Sequence, residues 1–385
     1  MSLNERLTQI QPNAIRAFDA QISDVADILK LTLGEPDFNV PTHIKQAAID
    51  SILADDSHYA PAAGTRALRE AAVHFLADRY NLRYDADSQV IVTLGATEGI
   101  YDTITAVVNP GDRVLIPAPN FPLYDPTVVL AGGVPTYVDT SATDFLLTPD
   151  QLQGAIDTYG DQLVAVVLNY PSNPTGATYT SEQLSALADV LRGTDITVIA
   201  DEIYSELVYD GQHTSISQYL PDQTLVLNGV SKSHAMTGYR IGFVVGPTKL
   251  ISAVGLIHQF AVTSASNPAM AGAAEALGTE AGRQDTLAMK AEYAARRDYL
   301  VKALRELGFA IPQPAGAFYV FAQIPDGLEQ DDVAFSLALA QEGKVAVIPG
   351  SAFGIGGAGY IRLSYAASLA DLQTAVARIA AFITD

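Results

Sequence analysis

The 385-residue chain has no cysteine and no tryptophan. Without Cys there are no disulfides, zinc ribbons, thiolate nucleophiles or Cys-held iron–sulfur clusters. Positive charge is also scarce. Lys and Arg number 22 against 43 Asp and Glu, for a formal net charge of −21. Such a chain is unsuited to nucleic acid, which proteins bind mostly by neutralising phosphates, and anionic lipid repels it. No apolar run approaches the ~18 residues of a membrane span. The opening stretch MSLNERLTQIQPNAIRAFDAQ carries charge early and lacks the apolar core of a secretory signal, so the expected location is the cytoplasm. There is no repeat of roughly 20–50 residues and no low-complexity linker. Apolar residues are abundant. At 49% hydrophobic and 17% charged, the composition supports large buried cores. At roughly 150 residues per domain, the length suggests two or three domains.

The middle of the chain alternates short β-rich runs with helical stretches. Strands are expected at 89–94 (QVIVTL), 113–117, 134–138, 163–169 (LVAVVLN), 197–200, 224–227 and 241–245. Several are continuously apolar, the pattern of strands buried on both faces of a mostly parallel sheet. Helices are expected at 97–108 and 181–191, the second with Thr180 and Gln183 at capping-box spacing. The reading is an α/β large domain over residues 45–280, built on a mostly parallel seven-stranded sheet flanked by helices. The last hundred residues predict a long helix at 286–307, strands at 318–323, 345–348 and 360–365, and a final helix at 368–383. These form a smaller α+β domain from residues 1–44 and 281–385.

Candidate chemistry begins with Lys232, one of only seven lysines. It follows a strand-like run among small residues, where desolvation lowers an amine's pKa and makes it nucleophilic. The bland alternative is a loop Lys that reaches solvent. Arg240 enters an apolar strand and needs an anionic partner: a phosphate, a carboxylate or a structural ion pair. At 93–99 (TLGATEG) a buried strand turns through small residues into a helix. That geometry offers the backbone of Ala96 and Thr97, and the Thr97 hydroxyl, to a phosphate. Asp201, in IADEIY, ends a buried strand on the usual ligand edge of an open α/β sheet and must find a cation, such as a protonated pyridine nitrogen. Tyr204 could donate to a phenolate on the same ring. The loop NYPSNPTG (169–176) is stiffened by two X-Pro steps and aims Asn173; a cis bond before Pro174 is an option, and so is an ordinary turn. Gly354–Gly359 matches G-x-G-x-x-G but precedes a strand pattern, so it reads as a loop and not a dinucleotide site. The six His show no metal-ligand spacing, and no metal is expected.

Together the motifs LTLGEPDF (31–38), YAPAAGTRALREA (59–71), GATEG, PNFPLY (119–124), NYPSNPTG, ADEIY, SKSHAMTGYRIG (231–242) and YIRLSYA (360–366) resemble those of the pyridoxal-phosphate-dependent aminotransferases of fold type I, class I/II. The resemblance covers nearly the whole chain. It implies pyridoxal 5′-phosphate as cofactor and Lys232 as the Schiff-base lysine. It also implies Asp201 against the ring nitrogen, Tyr204 and Asn173 on the phenolate oxygen, and Phe121 stacked on the ring. Ala96, Thr97 and Arg240 then cradle the phosphate, and Tyr59 reaches the phosphate of a neighbouring subunit in a homodimer with shared sites. Arg362 grips the substrate α-carboxylate, with Gly34 and Asn173 nearby. One departure stands out: many relatives have Ser three residues before the lysine, where this chain has Gly229, so either Ser231 or Ser233 replaces that contact or the phosphate site has one contact fewer.

The expected reaction is ping-pong transfer of an amino group between an α-amino acid and a 2-oxo acid. A C–S β-lyase acting on cystathionine or cysteine is the alternative on the same fold. A non-catalytic regulatory protein lacks support, because the Lys, Asp, Tyr and Arg are intact. Aromatic, aspartate, alanine-type and N-acetyl-diaminopimelate donors all stay open. Phe18, Tyr124 and Tyr59 are candidates for an aromatic pocket or for plain packing, and no second cation for a distal carboxylate is identifiable.

Overall fold

In the computed structural model, which describes residues 3–384, twelve strands make three sheets. Residues 1, 2 and 385 of the expected small domain lie outside the described residues. The strands are β1 (Leu29–Lys30), β2 (Val90–Thr93), β3 (Arg113–Ala118), β4 (Val134–Asp139), β5 (Leu163–Asn169), β6 (Thr197–Asp201), β7 (Thr224–Gly229), β8 (Gly242–Val245), β9 (Tyr319–Gln323), β10 (Val345–Ala346), β11 (Ile348–Pro349) and β12 (Tyr360–Ser364). The main sheet runs β2-β8-β7-β6-β5-β3-β4, and only β8 is antiparallel to its neighbours. The seven expected strands are therefore the seven observed, with ends shifted by a residue or two.

The continuous apolar runs have a direct cause. Along β5, Val166 and Leu168 point into one buried cluster, and Ala165 and Val167 into another. Helices α3 (Arg66–Tyr80), α6 (Pro149–Tyr159), α7 (Ser181–Leu191) and α10 (Asn267–Gly278) cover the first face. Helices α4 (Gly95–Val107), α5 (Tyr124–Ala131) and α9 (Thr248–Ala261) cover the second. Each fully buried Val, Leu or Ile contributes about 1.5–3 kcal/mol, so both faces favour this register and a one-residue slip would exchange them. The capping box of α7 is present: Thr180 Oγ1 accepts from Gln183 N, and Gln183 Oε1 accepts from Thr180 N.

A smaller sheet, β11-β12-β9, packs with α11 (Glu280–Glu306) and α13 (Leu369–Thr384). The N-terminal segment joins it through β1, which pairs in parallel with β10. Two expectations need correction here. The single strand predicted at 345–348 is two: β10 pairs with β1 and β11 with β12, and the chain changes sheet at Val347. The long helix starts at Glu280 and not at 286, capped by Thr279, whose hydroxyl accepts from Gly282 N at 3.1 Å. Gly282 reads as a breaker in sequence, but a Cβ there would lie 2.0 Å from Ala276 O, so the glycine permits the tight α10–α11 corner.

Candidate active site

Four strands of the main sheet, β2, β5, β6 and β7, deliver functional residues at their carboxyl ends, around one cavity of about 600 Å³. That is where open α/β sheets place ligands. Of the residues singled out from the sequence, Gly34, Ala96, Thr97, Phe121, Tyr124, Asn173, Asp201, Tyr204, Ser231, Lys232, Arg240 and Arg362 line it, and Phe18, Tyr59 and Ser233 do not. Tyr59 lies outside, 90% exposed, beside a surface hollow with Ser264 and Asn267.

Lys232 sits on the single-turn helix α8 (Val230–Ser233) that follows β7 directly. Burial pulls its pKa down to about 8. Its Nζ donates to Gly34 O at 2.6 Å and lies 5.8 Å and 5.9 Å from the ring centres of Tyr204 and Phe318. Asp201, at the end of β6, is 3% exposed and has no ion-pair partner among the described residues. Burial raises its pKa to about 6, opposed by the Tyr124 hydroxyl, which donates at 2.7 Å, and by Ile203 N at 3.3 Å.

Arg362 lies in the middle of β12 and is 2% exposed. It is clamped between the rings of Tyr319 and Phe353, at 4.5 and 4.9 Å. It donates to Asn173 Oδ1 at 2.8 Å and to Thr32 O at 2.7 Å, while its Nε is buried without a partner. Its pKa is drawn down by burial, yet a guanidinium stays charged. A buried cation with an unused donor is poised for an anion. The peptide bond before Pro174 is cis, as are those before Pro119 and Pro171.

The start of α4 is the third element. Leu94, its N-cap, supplies no side-chain hydrogen bond, so its first N–H groups are left for a ligand. Gly95, at φ +74°, lets Arg240 approach; a Cβ there would lie 2.7 Å from an Arg240 nitrogen. Arg240 donates to Thr237 O at 2.9 Å.

The departure at Gly229 has a steric reason. A Cβ at that position would come within 2.8 Å of Gly242 Cα at the start of β8 and of Ile241 O just before it, so a Ser fits only if that segment moves. Of the two serines considered in its place, Ser231 lines the cavity. Ser233 faces away, within 3.3 Å of Gly229 O and 2.8 Å of His234 Nδ1.

Sequence reasoning missed several members. Tyr124, weighed only as a pocket aromatic, is the donor to Asp201. Tyr319 shares a 2.7 Å hydrogen bond with Tyr204 and stacks under Arg362. Asn169 ties β5 to Asp201 O at 3.0 Å. These pairs are 77, 115 and 32 residues apart in sequence, so no local spacing could reveal them. Phe18 is buried away from the cavity, in a cluster with Phe145 and Phe321. A second polar group stands apart: Glu98, Asp102 and His258 hold three potential ligand atoms within 4.8 Å. Its His258–Glu98 separation of 2.8 Å is already a hydrogen bond and leaves no room for a cation between them.

Comparison with known proteins agrees with this geometry. The family model described as aminotransferase class I and II matches residues 26–379. A probable N-acetyl-LL-diaminopimelate aminotransferase of Bacillus subtilis is 40% identical, covering 99% of this chain and 95% of that protein. An aspartate aminotransferase of Pyrococcus abyssi is 36% identical over 98% of this chain and 97% of its own. Among solved structures, aspartate aminotransferase from Thermus thermophilus with maleate superposes with a TM-score of 0.94 at 35% identity, covering 99% of this chain and 100% of the other.

Proposed function

The chain belongs to the class I and II aminotransferases, and we propose that Lys232, Asp201 and Arg362 divide between them the transfer of an amino group from an α-amino acid to a 2-oxo acid. The enzyme is pyridoxal-phosphate-dependent.

The residues present suit that cofactor. A protonated ring nitrogen is the cation that buried Asp201 lacks. The uncapped start of α4, with Ala96, Thr97, Ser231 and Arg240, suits a phosphate. Phe121 offers a flat face, and Asn173 and Tyr204 offer polar atoms to the phenolic oxygen. Bound there, the cofactor supplies an electron sink for charge that develops at the substrate α-carbon.

The chain's own groups do the rest. Asp201 keeps the ring nitrogen protonated by charge pairing. Lys232 would hold the cofactor through its aldehyde, and its amine would take the proton from the substrate α-carbon. With a pKa near 8, it has a sizeable neutral fraction close to neutral pH. Arg362 holds the α-carboxylate with its spare donors, a geometry Lys cannot copy. The Gly34 carbonyl, already in contact with Lys232, borders the same space.

The observation that carries this reading is a single cavity holding a buried amine, a buried carboxylate without a cation and a buried guanidinium with an unused N–H. Borohydride reduction of the cofactor-loaded protein should leave a phosphopyridoxyl mass on the peptide containing Lys232. Its recovery on another lysine would overturn the assignment. Pyruvate release from cystathionine without an added oxo acid would instead mark a β-lyase.

The proposal extends to a homodimer in which Tyr59, exposed and outside its own cavity, completes the partner's phosphate site. It also includes a domain division near residues 44 and 280, supported by the pairing of β1 with β10. A cytoplasmic location is supported by the acidic composition, and no helix among the described residues is long and apolar enough to cross a membrane.

A further inference from the structure

Four cations line the cavity: Arg16, Lys232, Arg240 and Arg362. Under the reading above, three have assigned anions or an aldehyde, and Arg16 has none. It lies on helix α1 (Ala14–Gln21), whose N-cap Asn13 accepts from Arg16 N at 3.1 Å. That helix turns Phe18 into the protein, 3% exposed, and lines the cavity with Ile15, Arg16, Asp19 and Ala20, with Ser23 in the turn that follows. Arg16, Asp19 and Ala20 stand at i, i+3 and i+4, on one face of the helix. Ala20 and Ser23 are small and leave room for a ligand.

The natural local partner for Arg16 would be Asp19, three residues on. Asp19 is instead taken by Lys30, whose Nζ lies 2.9 Å from its Oδ1. The remaining acids of the cavity are Glu35, which accepts from Thr237 Oγ1 at 3.2 Å, and Asp201. The Arg16 guanidinium has no ion pair or hydrogen bond among the described residues, while Arg362 supplies the only other guanidinium on the substrate side.

We infer that Arg16 is a specificity-determining residue that receives a second, distal carboxylate, so that the preferred amino donors are α-amino dicarboxylic acids. The inference rests on the transaminase reading and deepens it. With the α-carboxylate on Arg362, a second carboxylate on the side chain would meet the one cation of the cavity without a partner among the described residues. An uncharged side chain would meet it with nothing to neutralise. Arg16 is exposed at the mouth, so its effect sits within the range of an ordinary charge-assisted contact.

The test uses the cofactor-loaded protein and two readouts. The first is the single-turnover reaction with L-aspartate, L-glutamate and L-2-aminoadipate, whose distal carboxylates differ in reach, against L-alanine and L-norvaline. The second is calorimetric binding of succinate against butyrate, which needs no turnover. Arg16→Gln should lower kcat/KM for the dicarboxylic donors about 3- to 10-fold and weaken succinate binding similarly. The neutral donors should stay within about twofold, and Arg16→Lys should recover part of the loss. A parallel fall for neutral and dicarboxylic donors, or no fall for either, overturns the inference. If the wild type converts its cofactor with no amino acid, the transaminase reading fails. The succinate comparison then still decides whether Arg16 receives a carboxylate.

Discussion

The carboxylate of Asp201 is held between opposing forces. Burial drives its pKa up to about 6, and the Tyr124 hydroxyl and the Ile203 N–H restrain it. Tyr124→Phe removes the stronger donor and keeps the ring that packs in the main core. The carboxyl should then titrate at higher pH, and a neutral carboxyl cannot pair with a protonated ring nitrogen. A hydrogen bond to a charged group is worth about 1.5–3 kcal/mol. Cofactor affinity should therefore fall roughly tenfold or more, and the acid limb of the kcat profile should move up in pH. An unmoved limb with undiminished affinity would count against Tyr124 as the residue that positions this charge. At this scale the sequence was legible where chemistry rides on short motifs. Lys232, Asp201, Arg240 and Arg362 each lie in a recognisable string and each reach the cavity. It was not legible where two side chains meet across the fold, as Tyr124 and Asp201 do. Arg16 was equally hidden, because only its position on a folded helix and the diversion of Asp19 to Lys30 mark it.

Helices α4 and α9 are joined by a buried polar group beside the proposed phosphate site. Asp102 on α4 is fully buried, with neither oxygen in a hydrogen bond among the described residues and His258 Nδ1 3.8 Å from its Oδ2. Burial raises its pKa to about 7, and the charge of Glu98 adds to that while His258 opposes it. The folded chain thus favours a protonated Asp102, whereas the unfolded chain ionises it near pH 4. Its contribution to stability is fully present below about pH 4 and is lost as pH rises through about 7. His258 acts in the same direction. Burial pulls its pKa down, but Glu98 and Asp102 together outweigh that and raise it, so its contribution also fades as pH climbs above its ordinary range. The unfolding free energy from urea titrations should therefore fall between pH 5.5 and 8.5, by the order of 2 kcal/mol. Asp102→Asn, which mimics the protonated carboxyl, should flatten most of that slope. An equally steep slope in the variant would place the titration elsewhere. Elements were legible in proportion to how uniform their surroundings are. Strands buried on both faces announce themselves as apolar runs, and α7 by its capping box. Helix α10 approaches α2 (Thr42–Leu53) at buried Gly272 and α3 at Gly278, and small residues carry little periodic signal. The segment at 345–348 misled because two two-residue pairings with different sheets read as one run.

For the whole molecule, the distribution of apolar surface is at odds with the charge. A chain of formal charge −21 keeps apart from other acidic surfaces, yet it exposes Tyr59 at 90%, Phe260 at 83% and Leu53 at 76%. Tyr59 follows α2, and Phe260 sits near the end of α9. The hollow lined by Ile52, Tyr59 and Ser264 brings the segments after those helices to one side of the molecule. Large exposed side chains gathered on one side mark an interface, and the proposed reach of Tyr59 into a second cavity would make that interface part of catalysis. Phe260→Asp replaces an apolar anchor with a charge in an already acidic protein. Loss of a central aromatic anchor typically costs 2 kcal/mol or more, so the dimer dissociation constant should rise roughly thirtyfold or more. Because residue 260 lies outside the cavity, activity in the variant should track the dimer fraction through a dilution series followed by sedimentation velocity. It should recover at high protein concentration as mass action restores the pair. Full activity from a sedimenting monomer would show that each chain works alone, and Tyr59 would then have no part in the phosphate site.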